Sequence, residues 1–282
     1  MLNFYVKIAV IIILLNKPLQ TVAQLSFPWH EAGLISGMSG YIGDLNPDKY
    51  LKFNNMLIGL TYKYNFNHRN SVRVNLVHTK IQADDKQSKN EWQKRRNLNF
   101  FSPLTEIIVA YELNFFEYSP TMYQGLFITP YINLGIGAFR FDPQTYLNGQ
   151  IYHLRNYSTE GQDQKGGNEK TMKKYSLYNV SIPVSLGLKF NLSKQINIFS
   201  ELSYKFTLTD YLDDVSTNYA YIPTDSDQGK IGASLADRSP ELGYNSNIIG
   251  SQRGDSSKKD MYMFVIIGIT INFGIPECIG PL

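Results

Sequence analysis

From His30 onward, apolar and polar side chains alternate with a period of two, the pattern of strands with one apolar and one polar face. The clearest run is Tyr178 to Phe190. There Tyr178, Val180, Ile182, Val184, Leu186, Leu188 and Phe190 alternate with Asn179, Ser181, Pro183, Ser185, Gly187 and Lys189. Ile196 to Phe206 repeats the pattern, with Ser200 the one small polar residue on its apolar side. The same reading predicts strands at His30–Gly40, Met56–Phe66, Ser71–Gln82, Leu104–Phe116, Phe127–Phe141 and Met261–Phe273, about eight in all. Most reach or exceed the roughly 9–11 residues with which a tilted strand crosses a bilayer, whereas strands of globular domains average roughly 5–6.

The connections alternate as strictly as the side chains. Asn67–Asn70 and Ser193–Gln195 are tight turns and Glu117–Gly125 is a medium one, while Tyr41–Asn55, Ala83–Pro103, Asp142–Ser176 and Thr209–Asp260 are long and polar. Short periplasmic turns opposite longer extracellular loops belong to an up-and-down outer-membrane barrel. The predicted fold is therefore all-β, a closed antiparallel up-and-down transmembrane β-barrel of about eight strands with long extracellular loops. An even strand count puts both termini on the periplasmic side. Tyr64, Phe66, Phe115, Phe116, Phe127, Phe190 and Phe273 gather near the short turns, and Phe139, Phe141, Tyr178, Phe206 and Tyr262 near the long loops. Both sets are expected to form the aromatic girdles that flank an apolar band.

Composition narrows the picture further. Only 18% of the 282 residues are charged, yet the chain holds 20 Tyr and 16 Phe, which excludes a disordered chain. A mean hydropathy of −0.24 excludes a bundle of membrane helices, and a net charge of +3 gives no warrant for nucleic-acid binding. Lys7, the apolar stretch Ile8–Leu15 and Thr21-Val22-Ala23 follow the order of a secretory signal peptide. Residues 1–23 are thus expected to be removed, leaving 24–282 as one barrel domain with a short C-terminal periplasmic tail. The single Cys278 cannot close a disulfide within the chain.

If the apolar stripes face lipid, the opposite faces fill the lumen with Glu31, Lys63, Arg73, Glu106, Glu112, Lys189, Glu201 and Lys205. Four acids against four bases in so narrow a barrel predict a packed ion-pair plug and no open pore. Catalytic readings are weaker. Glu106 and Glu112 could pair as acid and base, and His153 with Ser158 and a loop Asp could imitate the triad of a lipid-modifying barrel enzyme. The acids of Thr209–Ser216 lack the spacing of a calcium loop, so a solvated turn or a loop-packing motif is preferred to a cation site. Lys94-Arg95-Arg96 reads as a solvated loop or a contact to anionic lipid headgroups. The four histidines show no metal-ligand spacing, and neither a cofactor nor a metal is predicted.

Several segments in order resemble a known family. Trp29-His30-Glu31-Ala32-Gly33 followed by Gly40–Leu45 resembles the first hairpin of the PorG-type outer-membrane barrels of Bacteroidetes. Arg96–Phe100 leading to Glu106 and Glu112–Tyr118, then Thr129-Pro130-Tyr131, Gly135-Ile136-Gly137, Thr159–Gln162 and Thr209–Thr217, fit the same pattern. In the last strand Gly268, Ile271 and Phe273 also resemble the recognition signal of bacterial barrel proteins, although Gly274–Leu282 follows it. The resemblance implies a non-enzymatic component of the type IX secretion system, seated in outer-membrane lipid and contacting a periplasmic ring built from a lipoprotein and its partner. The residues assigned to that contact are His68, Arg69, Tyr118 and Cys278. A surface adhesin-like barrel is the alternative from a different class.

Overall fold

In the computed structural model, which describes residues 28–46, 52–120, 127–163 and 173–275, every alternating segment is a strand. The strands are β1 (Trp29–Ile42), β2 (Asn55–Asn65), β3 (Asn70–Asp84), β4 (Asn99–Asn114), β5 (Phe127–Phe141), β6 (Gln144–Leu147), β7 (Gln150–His153), β8 (Tyr178–Asn191), β9 (Ile196–Thr207) and β10 (Met261–Phe273). Eight of them form one antiparallel sheet in the order β3-β2-β1-β10-β9-β8-β5-β4. A long register of β3 on β4, from Asn70 opposite Leu113 to Asp84 opposite Asn99, closes it into a barrel. No helix among the described residues is long and apolar enough to cross a membrane.

Leu34, Ile58, Leu60, Leu76, Ile107, Leu134, Ile136, Leu186 and Ile267 all point outward, and Ile136 is 66% exposed. A continuous apolar surface of this kind around a whole barrel is a lipid-facing band. The inner face carries two kinds of side chain. Most of the charged residues lie toward the short turns, with Lys205 and Glu106 higher, and Ile35, Leu57, Val77, Leu104, Ile108, Phe139, Phe264 and Ile266 form a buried apolar layer with Phe199. Alternation marks faces but not their polarity, so this inner apolar layer was not visible in the pattern. Small residues make room for it. A Cβ on Gly268 would fall 2.3 Å from the Phe199 ring, and one on Gly187 would fall 2.2 Å from that of Tyr131.

The girdle prediction is corrected in part. Phe66, Phe115, Phe116, Phe127 and Phe273 at the short-turn end, with Tyr178 and Phe206 at the other, are exposed. Phe139, Phe141 and Tyr262 instead occupy inward positions of β5 and β10 and are buried. Their rings pack on one another, Phe139 against Phe141 at 5.7 Å and against Tyr262 at 5.6 Å.

The long connections carry structure of their own. β6 and β7 form a hairpin attached to β4 at Phe101 opposite Gln144. Its turn, Asn148-Gly149, takes φ of 51° and 79°, the positive pair that a two-residue type I′ turn demands. Helix α1 (Glu91–Arg96) is capped by the Asn90 side chain, and α2 (Asp227–Ala236) by Ser226. β1 starts and β10 ends at the short-turn end, with His30 opposite Phe273.

An arginine in the middle of the lipid-facing row of β5 tests the band. Leu134→Arg is expected to cost about 2–4 kcal/mol of stability in a bilayer, read by urea unfolding of the protein in phosphatidylcholine vesicles. A loss below ~0.5 kcal/mol, within the range of neutral surface substitutions, would exclude lipid contact at that position.

Candidate functional site

The short-turn half of the lumen is built by three adjacent registers. Glu31 lies opposite Lys63 and Lys63 opposite Arg73, so one row across β1, β2 and β3 runs acid, base, base. Glu112 of β4 faces that row, while Lys189 of β8 and Glu201 of β9 reach in from across the barrel. Lys63 Nζ lies 2.9 Å from Glu112 and 3.4 Å from Glu31, and Arg73 Nη1 lies 3.3 Å from Glu112. Lys189 Nζ lies 2.5 Å from Glu112, and Arg73 also pairs with Glu201. Glu112 therefore meets three cations. Higher in the lumen, Lys205 Nζ lies 3.7 Å from Glu106, which also accepts from Ser181 Oγ.

None of these eight side chains is more than 5% exposed. Removing charges from water costs several kcal/mol per ion unless partners and hydrogen bonds replace the hydration. Here ion pairs are supplied throughout and hydrogen bonds for several of the groups. Glu31 accepts from Thr270 Oγ1 at 3.0 Å and Asn65 Nδ2 at 3.1 Å, and Glu201 from Tyr131 OH and Asn133 Nδ2, both at 2.9 Å. Lys189 donates to Asn114 Oδ1 at 3.1 Å and lies 4.5 Å from the Tyr118 ring centroid. All eight charges predicted for the lumen thus lie in it and are paired one sign against the other.

This arrangement leaves no acid–base pair. Glu106 and Glu112 sit six residues apart on one strand face, about 20 Å at strand rise, each fully buried against its own cations. The proposed triad is not assembled either. His153 Nδ1 lies 2.7 Å from Asp142, but among the described residues no hydrogen bond joins His153 to Ser158, which is buried in left-handed backbone at φ 50°.

The short-turn end is closed by aromatics. Trp29 is buried with ring centroids 6.2 Å from His68 and 6.3 Å from Tyr118. Tyr118, expected to meet a partner, is fully buried over Lys189 and unavailable for contact. Its N–H donates to the His68 carbonyl, which turns the chain inward. Arg69 is exposed and lies 3.7 Å from Glu117. Cys278 lies outside the described residues.

At the opposite end the loops fold into a cap over the lumen mouth. Arg96, predicted to be solvated or against lipid, is instead buried on both oxygens of Asp85, at 2.7 and 2.8 Å, and donates to the Arg253 and Asp44 carbonyls. Its neighbours in the basic run are also engaged, Lys94 by Glu91 and Arg95 by the Tyr244 ring. Arg253 Nη1 meets Glu160 at 2.8 Å, and Glu160 accepts from the Ser216 and Thr217 amides. Leu212 and Val215 are buried in the apolar cluster.

The acids of Thr209–Ser216 pack the loop. Asp210 accepts from Ser216 Oγ at 2.6 Å, and Asp214 from Tyr175 OH at 2.6 Å and from Thr159 Oγ1. Tyr41 OH lies 2.6 Å from Asp213 and 2.8 Å from Asp260. A phenol has one proton to give, so both contacts are hydrogen bonds only when one carboxyl is itself protonated and donates back. Burial pushes both of these carboxyls well above the usual range, aided by Asp44 beside Asp213 and by Asp213 beside Asp260. Burial also pushes Asp210 up to about 7 and Asp214 up to about 6, the latter against the opposing pull of Arg253. No group of three or more metal-ligating side chains occurs among the described residues.

With this geometry in view, the comparisons add a family. The model of a domain of unknown function, DUF6089, matches residues 6–223. No curated protein matches the chain in sequence. Among solved structures, it is similar to Neisserial surface protein A at 9% identity and TM-score 0.39, covering 86% of this chain and 96% of that one. Outer membrane protein OprG from Pseudomonas aeruginosa gives 11% identity and TM-score 0.39, with 88% and 96% covered. Ail, the attachment invasion locus protein of Yersinia pestis, gives 12% and 0.36, with 87% and 97% covered.

Two measurements check the site. Glu112→Gln leaves three buried cations without their shared counter-ion and should cost about 3–5 kcal/mol, against about 1 kcal/mol for Ser185→Ala, which removes one hydrogen bond. Urea unfolding of both variants compares them, and equal losses would mean that the charges are not coupled. The raised carboxyls give the cap a pH dependence of defined sign. Their neutral forms stabilise it fully below about pH 4, the unfolded carboxyl range, and that stabilisation is lost as pH rises through about 6 to 7. Limited proteolysis of the loops should accelerate between pH 5 and 8, and less so in Asp210→Asn. An unchanged rate across that interval would contradict the assignment.

Proposed function

The chain belongs to the DUF6089 family, and on that premise we propose that it is a non-enzymatic, non-conducting barrel of the bacterial outer membrane that works through protein contacts at its ends. The observation that carries this reading is the filled lumen. Among the described residues, paired charges, an apolar layer and an aromatic floor fill the lumen, and no nucleophile–base pair faces a cleft. Function is then left to the exposed turns and the loop cap. The apolar band and closed sheet support the membrane setting, and the short turns, with both ends of the barrel beside them, belong on the periplasmic side.

Within that reading, the ordered motifs from Trp29 to Thr217 resemble PorG-type barrels and support a role in type IX secretion, with the short-turn end contacting a periplasmic ring lipoprotein and its partner. Arg69 and Glu117, exposed together at that end, are its contact candidates, with His68 beside them. A specific observation also favours surface binding. Tyr221, Leu242, Tyr244, Ile248 and Ile249 are exposed on the cap, with Ile248 at 80%.

Deletion of the gene is expected to stop type IX export, and a photocrosslinker at Arg69 to capture a periplasmic ring component. Normal export after deletion would exclude the secretion role. Planar-bilayer recordings should stay at baseline; discrete single-channel steps would refute the filled lumen as the ground of the proposal.

A further inference from the structure

The outer wall of the barrel is almost free of charge, and its two cations stand together. Among outward positions of the eight barrel strands, Lys or Arg occurs only at Lys80 on β3 and Arg140 on β5. The outward-facing carboxylate of those strands, Asp84, lies at the far end of β3 and accepts from the Lys86 amide. His78, Thr105 and Arg140 lie in one row across β3, β4 and β5, just above the apolar row of Leu76, Ile107 and Ala138. Lys80 is one outward position higher. From strand spacing and rise, Lys80 and Arg140 are rooted about 12 Å apart, so extended stems can bring both heads to one ligand.

Among the described residues neither head meets a carboxylate, and Arg140 makes no ion pair. Asp142, two residues further on, is held by His153 at 2.7 Å and Gln144 Nε2 at 2.9 Å. Lys80 Nζ lies 5.8 Å from the Phe101 ring centroid and makes no ion pair among the described residues. His78 and Thr105 hydrogen-bond to each other at 2.8 Å on the outer surface.

A second feature leads to the same place. The wall holds an apolar groove of about 920 Å³ that ends at His78 and Thr105. Leu34, Met38, Ile58, Leu60 and Ile267 line it, and its depth comes from Ser36, a small outward residue between Ile58 and Ile267 in the register. The groove is long and apolar, with a polar pair at its head and unpaired cations beside that head.

We propose that this face is a lipid site, with an acyl chain in the groove and a phosphorylated glycolipid headgroup held by Lys80 and Arg140. The guanidinium suits a phosphate fork and the ammonium a point contact, while both stems lie along apolar surface and raise their charges to the interface. His78 and Thr105 supply polar contacts where chain meets headgroup. A free phosphate would use the cations but leave the groove empty. The inference rests on the lipid-facing band and not on the secretion role, so either can fail alone.

The test uses the full chain in phosphatidylcholine nanodiscs doped with diphosphoryl lipid A or with its dephosphorylated form, and native mass spectrometry counts retained glycolipid. Wild-type protein should retain the diphosphoryl form at least tenfold better. Lys80→Gln with Arg140→Gln should abolish that preference, and Ser36→Phe should lower retention with the charges intact. Lys194→Gln, at the opposite end, should change nothing. Heat-modifiable gel migration confirms that each variant is folded, and the wild-type comparison needs no variant. Equal retention of the two forms would overturn the proposal. So would undiminished retention in the double variant, or displacement by millimolar inorganic phosphate, which would mark an anion site without a lipid.

Discussion

A bilayer core offers no hydrogen bonds to an exposed peptide group, so a sheet placed there must have no edge. The registers of β1 on β10 and of β3 on β4 meet that demand, since they turn an eight-stranded ribbon into a ring. Closure then dictates the rest. A ring of eight strands encloses a space about as wide as its own side chains, so whatever the inward positions carry must pack. In this chain they carry eight charges and a layer of aliphatic and aromatic groups, and both are fully buried.

The two halves of the lumen solve the packing problem differently. Toward the short turns, pairing replaces hydration, and Glu112 joins β2, β3 and β8 through three cations. Toward the loops an apolar layer that includes Leu57, Leu104, Phe139 and Phe264 surrounds the Lys205–Glu106 pair, while Gly268 and Gly187 make room for the Phe199 and Tyr131 rings among the charges. The cap continues that apolar layer beyond the strand ends through Leu212 and Val215, while its carboxyls are packed close enough that some hold their protons. Barrel and cap therefore share one interior.

Strand positions and the inward charges were legible in the sequence because alternation reports faces directly, and Glu31, Lys63 and Arg73 fall on the polar one. The polarity of each inward position was not legible. Phe139, Phe141 and Tyr262 were assigned to a girdle by nearness to strand ends, but the phase of β5 and β10 turns them inward. Arg96 looked solvated within a basic run because its counter-ion Asp85 lies eleven residues away on a separate turn. Tyr118 lies in a turn, where position along the chain does not tell which way a side chain points. The β6–β7 hairpin had a readable sign, Asn148-Gly149 between apolar residues, that length and polarity of the surrounding loop obscured.

The ion-pair network also constrains how the molecule can enter its membrane. Its members come from β1, β2, β3, β4, β8 and β9, and apart from Glu31 with Lys63 in the β1–β2 hairpin most of its pairs join strands of different hairpins. A β2–β3 hairpin inserted alone would present Lys63 and Arg73 to hydrocarbon with both counter-ions still outside. Each such charge is expensive at bilayer depth, so a hairpin that enters alone carries that cost until its partner strands arrive. Closure of the ring, with β1 on β10 and β3 on β4, is what brings these charges to their partners.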